Sequence, residues 1–371
     1  MNERSRAAVR KLEPYKPGTT IDEVKRDLGL ERIVKLASNE NPLGSSPKAL
    51  EALGSIGGLN LYLDDSYPEL RSKISATYGL RAENVVLGHG SNELIGIVCQ
   101  TLLEPGDETV MAAPTFSLYK LATQLQGARA VEIPLDASGT HDLDAMLGAV
   151  TERTKLVFIC DPNNPTGTAI GREAWMRFAR ALPERVSLLV DQAYREYMGP
   201  AGVDAVDVLR ERENTIVLRT MSKIYGLASL RFGYGFGHPQ LLEWVHRVRL
   251  PFNVSRPAAI GAHAALDDDA FVARSVAVNA DGLAFVSREF DRLGLARFAT
   301  EANFYALAVP GGAAQAYGDL LARGIIVRSG DALAMPGYLR ISVGTRAENE
   351  ALVEAIESLL PAWKAREAPA A

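Results

Sequence analysis

One lysine, Lys223, stands in Thr220-Met221-Ser222-Lys223-Ile224-Tyr225-Gly226-Leu227-Ala228-Ser229-Leu230-Arg231, between two short apolar runs. Residues 214–219 and 231–236 read as strands, so the lysine is predicted in a turn between them. A lysine confined to such a turn loses hydration. Its amine is then partly neutral and can attack a carbonyl to form a Schiff base. Arg231 follows in the same turn, where it and Ser222 can converge on one anion. An amine nucleophile beside an anion clamp suits an aldehyde that carries a phosphate. Taken alone, the same residues also describe a solvated loop lysine and a surface arginine.

Other polar residues close apolar runs in the same way. Asp191 ends Val186-Ser187-Leu188-Leu189-Val190. A carboxylate there is costly unless paired. A protonated pyridine nitrogen is one suitable partner, and the N-terminus of a following helix is another. The turn Gly88-His89-Gly90-Ser91-Asn92 lies between a strand (83–87) and a helix (94–103), where backbone N–H groups can close on a phosphate. It lacks the third glycine and the downstream acid of a dinucleotide fingerprint. His89 reads as structural. Asp161-Pro162-Asn163-Asn164-Pro165-Thr166-Gly167 closes the strand 155–160. Its Asn164 can donate to a phenolate-like oxygen, and the Asn164–Pro165 bond is a candidate cis peptide, its isomer left open by the sequence. Phe116 follows the strand 109–112 and can stack on a flat ring or simply pack in the core. Arg340 lies mid-strand in 338–344 among apolar residues, so an incoming carboxylate is its natural counter-ion. Arg328 ends the strand 324–328.

Strands alternating with helices, with polar residues gathered at strand C-termini, predict a doubly wound α/β domain. It spans residues 44–250. Residues 1–43 read as an arm, with helices over 5–12 and 21–28. Pro251-Phe252-Asn253-Val254-Ser255-Arg256-Pro257 reads as a hinge into an α+β domain, 251–371, with helices over 258–266 and 271–293.

Of the 371 residues, 47% are hydrophobic and 23% charged, with a net charge of −5. That balance builds a large core and argues against a general nucleic-acid or membrane-surface binder. Cys99 and Cys160 are the two cysteines, both in apolar surroundings, and read as reduced thiols rather than a metal site or disulfide. Met1–Arg6 lead into no apolar signal core, and no apolar stretch approaches the ~18 residues of a membrane span. A soluble cytoplasmic protein is expected.

The lysine turn, Asn39-Glu40-Asn41-Pro42, the glycine turn and the Asn-Asn-Pro-Thr-Gly turn occur here in the order found in the pyridoxal-phosphate (PLP) aminotransferases of fold type I. The chain resembles the histidinol-phosphate aminotransferase branch most. The resemblance implies a large doubly wound mixed-sheet domain and a smaller α+β domain, with an arm joining the smaller domain and a homodimer contact. It implies PLP on Lys223, Asp191 at the ring nitrogen, and Asn164 and Tyr194 at the ring oxygen. Phe116 would stack on the ring. Ser91, Asn92, Ser222 and Arg231 would hold the phosphate, with Tyr62 supplied by the partner subunit. Arg340 would grip the substrate carboxylate, Asn39 would line the substrate cleft, and Tyr15 with Arg328 would read a distal phosphate. The chain departs from the family pattern at Leu61 and Leu63, where arginine and proline are usual, and at Gln192, where glutamate is usual. The implied reaction passes an amino group from histidinol phosphate to 2-oxoglutarate, in histidine biosynthesis. Aromatic aminotransferases keep most of the same residues, as do PLP-dependent decarboxylases of phosphorylated amino acids. A PLP-binding transcription regulator would need a basic DNA-binding domain ahead of the aminotransferase-like part, where this chain has a short arm, and an inert binding module would not need both Lys223 and Asp191.

Overall fold

The computed structural model describes residues 4–10, 12, 18–200 and 202–367. Its strands in chain order are β1 (Val34–Lys35), β2 (Val85–Gly88), β3 (Glu108–Ala113), β4 (Arg129–Pro134), β5 (Thr154–Cys160), β6 (Ser187–Asp191), β7 (Thr215–Thr220), β8 (Gly233–Gly237), β9 (Phe304–Ala308), β10 (Ile325–Ile326), β11 (Arg328–Ser329) and β12 (Tyr338–Ser342). Seven of them form one sheet in the order β2-β8-β7-β6-β5-β3-β4. All neighbours pair in parallel except β8, which runs antiparallel to both β2 and β7. The middles of its central strands are apolar because both faces are covered; β7 also buries Arg219, whose Nη2 donates to Asp204 Oδ1 at 2.8 Å. Val157, Ile159, Leu188, Val190 and Val217 enter one core layer. Leu156, Phe158, Cys160, Leu189, Ile216 and Leu218 enter the other. The period of two along each strand divides the side chains between the layers.

A second core gathers β9, β11 and β12, which form a three-stranded antiparallel sheet, around the helix Asp269–Leu293 and the C-terminal helix Arg346–Glu367. Val34 and Leu36 also belong to this core, so the segment that opens the chain packs with its end. The helix Ile21–Leu28 forms as expected, with Thr20 and Glu23 making a capping box. The expected single strand over 324–328 is instead two. Ile325–Ile326 pair with β1, whereas Arg328–Ser329 pair with β12, so the chain changes sheets at Val327. The helix Asp269–Leu293 is, among the described residues, the one long and apolar enough in composition to cross a bilayer. It is tied to the rest of the chain by buried polar contacts: Asn41 Nδ2 donates to Ser275 Oγ at 2.9 Å, and Asn279 Nδ2 to the Ala302 carbonyl at 3.2 Å.

The Asn164–Pro165 bond is not cis. The cis bonds are Ala113–Pro114 and Asp161–Pro162. Each follows the last residue or two of a strand, β3 and β5, where sheet pairing stops and the chain turns away.

Candidate active site

The C-terminal ends of β5, β6 and β7 and the turn after β7 enclose a cavity of about 240 Å³. Lys223 lies in it, half-buried, with Nζ donating to the Ser38 carbonyl at 3.0 Å. The ammonium also sits 5.7 Å from the centre of the Tyr194 ring. Burial, and next the charge of Arg340, push this lysine down to about 8. A substantial fraction is therefore neutral near physiological pH, the state that attacks a carbonyl.

Asp191 terminates β6 and is 3% exposed. Its Oδ2 accepts from Tyr119 Oη at 3.0 Å and its Oδ1 from the Ala193 N–H at 3.2 Å. Burial raises the carboxyl to about 6 against the opposing hydrogen bonds. The cap reading is met only by that single Ala193 contact, and no regular helix starts there, only the short 3₁₀ turn Arg195–Tyr197.

On the other side of the cavity an anion cradle is built by close backbone approach. Gly90, at φ +76°, opens the helix Gly90–Leu102, and a Cβ on it would lie 2.5 Å from Arg231 Nη2. A Cβ on Gly233 would collide with the Ser91 N–H. Only glycine at both positions lets the helix start, Arg231 and Ser222 converge. Arg231 Nη1 donates to Ser222 Oγ at 3.3 Å and to the Ala228 carbonyl at 2.9 Å, which fixes the guanidinium. Ser91 and Asn92 lie in the first helical turn, where N–H groups lack carbonyl partners in the helix and favour an anion. His89 stays outside this role; its N–H is capped by Glu93 Oε2 at 2.7 Å.

Asn164 and Arg340 meet across the cavity, with Arg340 Nη1 donating to Asn164 Oδ1 at 2.8 Å. That leaves the amide Nδ2 of Asn164 as its donor side. Arg340 Nη2 also donates to the Ala37 carbonyl at 2.6 Å. Tyr194 Oη accepts from Asn39 Nδ2 at 2.9 Å, and burial pushes this phenol up to about 12. Asn39 is itself pinned, at φ +55°, by Ser342 Oγ and by Asn303. Phe116 lines the cavity with its ring edge-on to Tyr119. Arg328 also lines it and lies directly opposite Arg340 in the β11–β12 register.

The chain thus brings together Ser91, Asn92, Phe116, Asn164, Asp191, Tyr194, Ser222, Lys223, Arg231, Asn39, Arg328 and Arg340 around one cavity. Tyr62 is not among them. It is 81% exposed, with its ring 4.5 Å from that of Phe252. Tyr15 lies outside the described residues. Gln192 points away from the cavity, its Nε2 donating to the Val203 carbonyl at 2.8 Å and its Oε1 accepting from Ala205 at 3.0 Å. Tyr119 was not anticipated. Its signal was the i,i+3 spacing from Phe116, which puts both rings on one side of a helical turn.

A lysine with a depressed pKa, a buried acid and an anion cradle in one cavity fit a phosphorylated pyridine aldehyde. In that fit the cradle would take the phosphate, the acid the ring nitrogen and the amine the aldehyde carbon. Residues 31–356 match the family described as aminotransferase class I and II. The chain is 42% identical over 358 residues to a histidinol-phosphate aminotransferase of Moorella thermoacetica, covering 96% of this chain and 92% of that one. It is 43% identical over 355 residues to the enzyme of that name from Akkermansia muciniphila, covering 95% and 97%. A crystal structure of the histidinol-phosphate aminotransferase from Sinorhizobium meliloti, in complex with pyridoxal-5'-phosphate, is similar in fold. Its TM-score is 0.88 at 27% identity, over 97% of this chain and 98% of that one.

Proposed function

The chain belongs to the class I and II aminotransferase family, and from that premise we propose that it is a PLP-dependent histidinol-phosphate:2-oxoglutarate aminotransferase of histidine biosynthesis. The observation that carries the choice of donor is the Arg328–Arg340 pair. Cations directly opposite on adjacent strands repel each other. Both face the cavity that holds Lys223, so an anionic donor relieves the repulsion. A carboxylate is satisfied by one bidentate guanidinium, whereas a phosphate monoester dianion has charge and acceptors for two.

PLP, when bound, supplies a conjugated ring that accepts negative charge from the substrate's Cα. The chain's residues do the rest. Ser91, Asn92, Ser222 and Arg231 hold the phosphate, and Asp191 holds the proton at the ring nitrogen. Asn164, through Nδ2, and Tyr194 donate to the ring oxygen, and Phe116 covers the ring face. With the cofactor bound, Lys223 Nζ would take the proton from Cα as general base and would return it to the cofactor carbon that bore the aldehyde. Its depressed pKa suits that exchange near neutral pH. Arg340 orients the donor's anion, which fixes the Cα–H bond relative to Nζ.

The protein acts as a cytoplasmic homodimer in this reading. Leu59, Leu61, Tyr62, Leu250 and Phe252 are exposed, and the loop around Asp65 is tied to Arg249 and Phe252. An exposed apolar group of this kind marks an association surface, and it leaves Tyr62 available to a partner's cofactor phosphate. Residues 1–43, 44–250 and 251–371 serve as arm, cofactor domain and smaller domain in this reading; the two sheets have separate cores, although Ala258, Ala259, Ala262 and Ala265 of the helix Arg256–Ala265 pack into the core of the large sheet.

The test is single-turnover spectroscopy on PLP-loaded protein, with histidinol phosphate, phenylalanine, tyrosine and phosphothreonine offered separately. Fast conversion to the pyridoxamine form by histidinol phosphate alone is expected. Preference for phenylalanine or tyrosine makes the protein an aromatic aminotransferase, and CO₂ release from phosphothreonine makes it a decarboxylase. Arg328→Ala is expected to raise the KM for histidinol phosphate by about tenfold to a hundredfold, the ~1.5–3 kcal/mol of a charged hydrogen bond. The KM for phenylalanine should change little. Equal effects on both donors would remove the phosphate-reading role.

A further inference from the structure

Tyr119 touches two cavity residues and is itself wholly buried. Its hydroxyl donates to Asp191 Oδ2 at 3.0 Å. Its ring lies flat against Phe158 of β5, centroids 4.9 Å apart at 13°, and meets Phe116 edge-on at 5.6 Å and 82°. Its N–H donates to the Phe116 carbonyl at 3.2 Å. Rings packed on both sides leave the hydroxyl no freedom to swing away. The phenol therefore presents a fixed donor to the carboxylate.

No cation lies within ion-pair distance of Asp191 among the described residues. The groups that face it are Tyr119 from the helix Leu118–Leu125, Cys160 from β5 and Tyr194 from the segment after β6. Arg219 of β7 and Lys223 act on it from farther away. The carboxylate is stabilised by two neutral donors, the Tyr119 hydroxyl and the Ala193 N–H. A donor to the charged form lowers proton affinity. Without the hydroxyl, Asp191 would have one weak backbone contact in a dry site and would bind a proton more tightly. It would then compete for the proton that the facing ring nitrogen must keep.

We propose that Tyr119 is a positioning residue that keeps Asp191 ionised and aimed, so that the proton of the Asp191–ring nitrogen pair stays on the nitrogen. The proposal rests on the aminotransferase reading. The phenol suits the task because burial holds it far above its ordinary value, so it remains a donor across the working pH range. Cys160 cannot substitute, since its thiol donates to the Pro162 carbonyl at 3.4 Å and burial keeps it protonated.

Tyr119→Phe removes the hydroxyl and keeps the packing. Two measurements decide. In cofactor-free protein labelled with ¹³C-carboxyl aspartate, the Asp191 signal, assigned by its loss in Asp191→Asn, is expected to titrate about one pH unit higher in Tyr119→Phe. That is tenfold in proton affinity, ~1.4 kcal/mol. In protein loaded with ring-¹⁵N PLP, a smaller share of the ring nitrogen is expected to carry the proton than in the wild type at every pH where the pair holds one, because the proton passes to Asp191. The half-reaction rate should fall about tenfold with KM little changed. In the Asp191→Asn background, Tyr119→Phe should add nothing. An unmoved Asp191 titration, or an equal rate loss in the Asp191→Asn background, would overturn the proposal, because the tyrosine would then act only through Phe116 or the core. If PLP does not bind the wild type, the function proposed above fails and this role fails with it. A normal spectrum with an unmoved titration sinks only the role of Tyr119.

Discussion

The turns that close β5 and β6 each place a buried aspartate at the end of an apolar strand, one residue past Cys160 in one case and at the last strand position in the other. Asp161 and Asp191 are both buried, and burial raises both to about 6. Their partners differ. Asp161 accepts from the Ile170 N–H at 2.9 Å and from Trp175 Nε1 at 2.8 Å. Both partners can only donate, and Asp161 does not line the cavity. Asp191 accepts from a backbone N–H and from a phenol, which can donate or accept, and it lines the cavity. The first acid is consumed in holding its own loop. The second keeps capacity for a ligand and has a neighbour that can adjust. Burial and strand-end position alone therefore do not mark a functional acid; the versatility of its partners does.

Asparagine at each position gives the largest expected contrast. Asp191→Asn is accommodated, since Nδ2 can donate to Tyr119 Oη while Oδ1 keeps the Ala193 contact. Its amide cannot hold a cation, so Cα deprotonation should slow by about a thousandfold, ~4 kcal/mol, with stability changed by less than ~1 kcal/mol. Asp161→Asn does the reverse. One of two donor-only partners must then face an amide NH₂, so urea unfolding should show a loss of ~1–3 kcal/mol, with rates within about threefold. The pH dependence follows from the same comparison. Each carboxyl binds its proton more tightly folded, about 6, than its ordinary value of 3.8. Each therefore stabilises the cofactor-free fold fully below about pH 4, and that contribution is lost as pH rises to about 6. Either substitution should flatten the fall in unfolding free energy between pH 4 and 6. An unchanged slope in both would mean that neither group titrates there.

Lys223 is tuned by burial and then by Arg340 across the cavity, whereas Asp191 meets no adjacent charge. A cationic neighbour disfavours the ammonium, so the lysine is protonated below about 8 and free base above it. Capture of PLP by the cofactor-free protein, followed by absorbance, should rise with pH through about 8. Arg340→Gln should move that midpoint upward, because one of the two charges that depress it is gone. The change should be about one pH unit or less, a few-fold in rate near pH 7. An unmoved midpoint would assign the depression to burial and Arg231 rather than to Arg340.

Part of this site was legible in the sequence, because Asp191, Asn164 and Lys223 close apolar runs and Ser91 and Asn92 sit in a glycine turn. Asp191, Asn164 and Lys223 were predicted at the C-termini of the strands that carry them. What the sequence did not show are relations made by tertiary packing. Tyr119 reaches Asp191 from a helix that follows a different strand. Arg328 meets Arg340 because the chain changes sheets at Val327, which no local pattern announces.

Gln192 tests the comparison at its narrowest, since it is the neighbour of Asp191 in sequence and resembles Asp161 in role. Both halves of its amide are used within the fold, the donor by Val203 and the acceptor by Ala205, and it is fully buried. The glutamate usual in the family would keep the Ala205 contact but set a carboxylate oxygen against the Val203 carbonyl. Gln192→Glu is therefore expected to lower stability by ~1–3 kcal/mol, more at pH 8 than at pH 5, because protonation restores the missing donor. Its single-turnover rate should stay within about twofold, since the side chain turns from the cavity toward residues 203–205. A large rate loss with unchanged stability would show that position 192 acts through Asp191 on the chemistry, and the boundary between the adjusting acid and its structural surroundings would have to be drawn one residue further on.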